Sequence, residues 1–86
     1  MTFDKWIDAV NVRVHAQLGD RVRTDELSWD SAQWTSPAAT VVATLDNDER
    51  TAKILFDGGD RLSVAFGDAA STPDVVGATI AEHLGR

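Results

Sequence analysis

Three short stretches of this chain, "TVVATL" (40–45), "TAKILF" (51–56) and "RLSVAF" (61–66), alternate their side chains with a period of two. That spacing fits a strand, whose successive side chains point to opposite faces, and does not fit a helix. Val41, Ala43 and Leu45 then share one face, as do Ala52, Ile54 and Phe56, and again Leu62, Val64 and Phe66. The other face carries Thr40, Val42 and Thr44, then Thr51, Lys53 and Leu55, then Arg61, Ser63 and Ala65. Three such segments separated by turn-forming residues read as an antiparallel meander with one face to bury.

Parity constrains the turns. If Ile54 and Phe56 share a face with Leu62 and Val64, paired positions sum to an even number, so the loop within "DGGD" has an odd length. Asp57-Gly58-Gly59, with a glycine at the left-handed position, or a bulge satisfies this. The preceding hairpin, "LDNDERTA", needs an odd sum and an even loop, and Asn47 to Arg50 suits it better than a two-residue Asp48-Glu49 turn without glycine. Val42 then pairs with Leu55 on the face away from the helices.

Helical periodicity brackets the meander. Phe3, Ile7, Val10, Val14 and Leu18 step by three or four, with Thr2 as N-cap, Asp4 in the first turn and Gly19 as the stop. Trp6 borders this stripe and belongs with the core. In "STPD", Ser71 or Thr72 caps, Pro73 suits the first helical position and Asp74 favours the positive dipole end. Val76, Ile80 and Leu84 form the second stripe, with Ala81 beside them and Gly85 at its end. Gly77 inside that helix costs about 1 kcal/mol relative to alanine, which points to close packing or a fraying first turn.

Residues 21–29 are less regular. Val22, Leu27 and Trp29 fit a fourth strand with a register break between Val22 and Leu27. The expected fold is a single α+β domain over 1–86. It has two layers: an N-terminal helix, a three- to four-stranded antiparallel meander and a C-terminal helix, with both helices on one sheet face. Eighty-six residues suffice for one core without staples.

The helix–three strands–helix order resembles the double-stranded-RNA-binding domain in outline. Such domains bring lysines to the start of the last helix to meet phosphates. Here that place reads "STPDVVG", with Asp74 and no base, so the resemblance is one of element order and carries over neither residues nor activity.

"LSWDSAQWTSP" (27–37) holds two of the three tryptophans, five positions apart. On one strand Trp29 and Trp34 would point to opposite faces, and on a helix they would sit about 140° apart. The stretch reads as irregular, with Ser31, Ser36 and Pro37 as breakers. One reading buries both rings in a minor cluster. The other leaves one ring partly exposed beside Val42 and Leu55, where it anchors a partner, since tryptophan is enriched at binding hot spots.

Chemistry-bearing patterns are scarce. There is no cysteine, hence no disulfide or thiolate chemistry, and two histidines on different helices make a poor metal kit. No G-x-S-x-G elbow, phosphate-binding loop or G-x-G-x-x-G motif occurs. Asp46-Asn47-Asp48-Glu49 opens like a calcium loop, but Thr51 stands where glycine is needed and Asp57 where a bidentate glutamate is expected. Catalysis, cofactors and metals are therefore not expected.

Fourteen acids against eight bases give a net charge of −6, spread along the chain. That surface disfavours phosphate backbones and anionic lipid and favours a basic partner. The N-terminus lacks a signal-peptide layout and no apolar run reaches membrane-spanning length, so a cytoplasmic protein is expected. The reading that follows is a non-catalytic, acidic protein-binding domain of the inhibitor or adaptor kind. Phage-encoded host-factor inhibitors and immunity-like proteins illustrate that class, without a motif match here. Trp29, Trp34, Val42 and Leu55 are the expected anchors, with Asp30 as a charged rim. The alternatives are homodimerisation, through an uncovered sheet face or edge, and a nucleic-acid binder using Lys53, Arg61, Arg50 and Arg21 or Arg23.

Overall fold

The computed structural model describes residues 2–46, 50–66 and 72–85. Helix α1 (Phe3–Leu18) leads through a 3-10 turn (Gly19–Arg21) into β1 (Arg23–Ser28), β2 (Ser31–Thr35), β3 (Thr40–Leu45), β4 (Thr51–Phe56) and β5 (Arg61–Ala65), and α2 (Pro73–Leu84) follows. The strands form one antiparallel sheet in the order β1-β2-β3-β4-β5, with β1 and β5 as its edges.

The sheet has five strands, one or two more than the alternation predicts. Arg23–Ser28 forms the extra edge, with its register shift between Glu26 and Ser28. Residues 31–35, read from sequence as irregular, form a central strand. Ser31, read as a breaker, lies instead on one face of that strand with Gln33 and Thr35. Between β1 and β3 they occupy the polar face while Ala32 and Trp34 occupy the buried one. Ser36 and Pro37 do act as breakers: Ser36 N–H donates to Ala39 O at 2.9 Å and closes the turn into β3. With five strands, the chain departs from the helix–three strands–helix order of the double-stranded-RNA-binding domain.

The strand register follows the parity of the sequence. Val42 pairs with Leu55 and Leu45 with Ala52, and Asp46 N–H donates to Thr51 O at 2.8 Å, which leaves the four-residue connection 47–50, of which 47–49 lie outside the described part. Ile54 pairs with Leu62. Phe56 N–H donates to Asp60 O at 2.9 Å, closing the odd loop Asp57-Gly58-Gly59. Gly58 (φ 98°) and Gly59 (φ 101°) both take the conformation that a side chain disfavours.

Both helices lie on the same face of the sheet. The α1 stripe is buried as the periodicity predicts, and Trp6 packs into the core with its ring centroid 5.6 Å from that of Phe66. Thr72 is the N-cap of α2 and accepts from Val75 N–H, while the alternative, Ser71, lies outside the described residues. Gly77 marks close packing rather than fraying: a Cβ there would stand 2.7 Å from Arg13 Cβ and 3.0 Å from Val10 O. The C-terminal end of α2 is tied to the sheet, since Ser36 Oγ donates to Leu84 O at 2.7 Å. Among the described residues no polar or charged side chain is fully buried.

Candidate functional site

The two tryptophans of "LSWDSAQW" part company. Trp34 shares the inner face of β2 with Ala32, opposite Val41 on β3, and is completely covered. Its indole N–H donates to Asn11 Oδ1 at 2.9 Å. Thr24 Oγ1 donates to the same oxygen at 2.7 Å and lies 2.8 Å from His15 Nε2. A threonine hydroxyl carries one hydrogen, and here it goes to Asn11, so the proton between Thr24 and His15 sits on His15 Nε2. Asn11, His15, Thr24 and Trp34 are thus one polar seam between α1 and the β1–β2 hairpin. Trp34 is a core residue and offers no surface to a partner, which corrects its place among the expected anchors.

Trp29 is the opposite case. Ser28 pairs with Ser31, so Trp29 and Asp30 form a two-residue turn at the tip of the β1–β2 hairpin. The Trp29 side chain is 77% exposed. The turn is anchored from both sides: Leu45 N–H donates to Asp30 O at 2.8 Å, and Ser28 Oγ donates to Asp30 Oδ1. Leu27, two residues earlier at the bulge, is also largely exposed.

Trp29 borders a groove of about 540 Å³ between the first turns of α1 and the end of the β1–β2 hairpin. Phe3, Ile7 and Ala32 supply its apolar side, Thr2, Ser28 and Ser31 add hydroxyls, and Asp4 and Glu26 contribute carboxylates. Among the described residues no lysine or arginine lines it. The Thr2 hydroxyl beside Asp4 holds that carboxyl below its usual range. Glu26 pairs with Ala32 and so sits on the helix side of the edge strand.

Val42 and Leu55 occupy the other side of the sheet, where the register produces one row, Asp25–Gln33–Val42–Leu55–Arg61. Val42 is half-buried and Leu55 is 39% exposed. Trp29 does not lid this pair: its groove partners Phe3 and Ile7 lie under the opposite sheet face. The expected site therefore splits into two surfaces, the Trp29–Asp30 turn with its groove and a small apolar pair on the outer face.

Two of the basic residues considered for nucleic acid, Lys53 and Arg23, face carboxylates. Lys53 lies 3.9 Å from Asp46, Arg23 pairs with Asp25 at 3.2 Å, and Arg21 Nε donates to Leu18 O at 3.3 Å. His83 Nε2 meets Asp57 Oδ1 at 2.5 Å, with its ring centroid 4.9 Å from that of Phe56. The hydrogen bond from His83 holds the Asp57 carboxyl below its ordinary value. Neither histidine lines the groove beside Trp29. Among the described residues no group of three or more His, Cys, Asp or Glu side chains is placed to hold a metal ion, and no helix is long and apolar enough to cross a membrane.

No protein-family model matches the chain, and no significant match was found among curated proteins or solved structures. The residues that sequence reasoning missed are Asp4, Glu26 and Leu27. The "LSW" spacing, two apolar residues on a charged edge, was the available signal for the last. Asp4 and Glu26 are 22 positions apart, and only the placement of β1 beside α1 brings them to one groove.

Proposed function

We propose that this chain is a non-catalytic, acidic protein-binding domain of the inhibitor or adaptor type that docks a partner protein through the Trp29 turn. The observation that carries this reading is the exposure of Trp29 on an anchored two-residue turn. Burying an indole removes roughly 150–250 Å² from water, at about 25 cal/mol per Å². A fold of this size forgoes that stabilisation at Trp29, although a two-residue turn prefers small polar residues and has no need of an aromatic. Aromatic residues held at one orientation lose little entropy on binding and are over-represented among hot spots. The net charge of −6 favours encounter with a basic partner.

The test is parallel affinity capture from the native host with the wild-type chain and with Trp29→Ala, followed by mass spectrometry. A protein retained by wild type and lost by the variant, whose thermal unfolding is unchanged, supports the reading. Equal retention by both removes it.

A further inference from the structure

We propose that the groove beside Trp29 receives an arginine side chain presented by the partner protein, its stem and guanidinium face against the indole of Trp29 and its guanidinium between Asp4 and Glu26. This rests on the reading of Trp29 as a partner contact and goes further by naming the chemistry it meets.

Charge complementarity selects the occupant. The groove takes one carboxylate from α1 and one from β1, and among the described residues no base lines it. Lys5 follows Asp4 in the chain but stands about 100° around the helix. An anionic ligand would be repelled, and a purely apolar one would strip water from both carboxylates without replacing their hydrogen bonds. A long cationic side chain satisfies both demands, because its methylenes cover apolar surface while its head stays polar. Phe3, Ile7 and Ala32 floor the groove but are each under 8% exposed, so the indole of Trp29, 77% exposed, supplies most of that apolar surface.

The indole favours arginine over lysine. A planar guanidinium stacks on an aromatic face and still offers in-plane donors to carboxylates, whereas an ammonium is a strongly hydrated point charge. The volume of about 540 Å³ accommodates a side chain together with part of the peptide that carries it. Exposure of Trp29 beyond the groove favours a polypeptide over a free small cation, since a small cation would leave most of that ring in water.

The test titrates the full chain with acetyl-Gly-Gly-Arg-Gly-Gly-amide and follows amide and indole resonances by NMR, with citrulline and lysine peptides in parallel. Expected are millimolar binding with shifts centred on Trp29, Ile7 and Glu26, weaker binding of lysine, and no saturable shifts with citrulline. Asp4→Asn and Glu26→Gln should each weaken the arginine peptide by about three- to tenfold. Equal binding of the citrulline peptide, or arginine-induced shifts away from the groove, would overturn the inference. The two readings fail separately. If Trp29→Ala loses the captured partner while the Asp4→Asn/Glu26→Gln double variant keeps it undiminished, docking through Trp29 stands and the arginine receptor does not.

Discussion

Trp34 Nε1 and Asn11 Oδ1 lie 2.9 Å apart, joining β2 to α1 through the only polar atom of an indole that is otherwise fully buried. Asn11 also accepts from Thr24 at 2.7 Å, so one side-chain oxygen serves two donors. Replacing Asn11 with leucine leaves the Trp34 N–H buried and unpaired. The expected loss is about 1–3 kcal/mol of unfolding free energy, read from urea denaturation. Thr24→Val, at a half-buried position with the Trp34 bond intact, should cost less. An Asn11→Leu chain as stable as wild type would show that the bond contributes nothing net.

Gly77 and Arg13 set how closely the helices approach. Alanine at 77 would gain up to about 1 kcal/mol in helix propensity. Its Cβ, however, would stand 2.7 Å from Arg13 Cβ and Cγ, and the Cβ cannot swing away as a side-chain tip can. Separating the helices costs about 1–3 kcal/mol, as overpacking does elsewhere. Gly77→Ala should therefore lower the thermal midpoint, and a raised midpoint would contradict the packing.

The three tryptophans should separate optically. Trp6 (1% exposed) and Trp34 (0%) are shielded, while Trp29 (77%) faces water. Trp29→Phe should remove most of the acrylamide-quenchable emission and shift the remaining spectrum to the blue. Its stability should change by no more than about 0.5 kcal/mol, as expected of a surface site. Unchanged quenching in this variant would place the exposed indole elsewhere.

The Asp57–His83 pair predicts a pH dependence of defined sign. His83 donates to Asp57 and lowers its folded carboxyl below the ordinary 3.8. A depressed carboxyl contributes stability that is complete above the unfolded value and is lost as pH falls through the folded one. Asp57→Asn should therefore be less stable than wild type near neutral pH, with the gap closing only below the ordinary value of 3.8. Denaturation midpoints across an acid series measure this. A gap that persists unchanged to the acid limit would rule out the carboxylate charge as its source.

Much of the fold was legible because its signals are local. The 3.6-residue stripe of α1, the "STPD" start of α2 and the parity of Ile54, Phe56, Leu62 and Val64 each depend on a few neighbouring residues. Parity and turn chemistry together led to the Val42–Leu55 pair and the odd Asp57-Gly58-Gly59 loop, since a one-residue slip would turn Lys53 inward. The β1–β2 hairpin was less legible. Its helix-facing side carries the half-buried Thr24 and the exposed Glu26 beside Ala32 and Trp34, so hydrophobic alternation is broken wherever α1 supplies polar partners or leaves the strand open.

The sequence by itself determined the two helices, the three-strand meander and its inward face, the acidic charge and the absence of thiol chemistry, all of which follow from residue identity and short spacing. Only the tertiary structure decided which tryptophan is covered. Trp34 meets Asn11, 23 positions away, whereas Trp29 sits past the end of the paired strands, where no described element covers it. The same packing set Asp4 and Glu26 on one groove and sent Val42 and Leu55 to the other side of the sheet. Contacts across so many residues depend on where helix and strand come to rest, and side-chain periodicity carries no record of that.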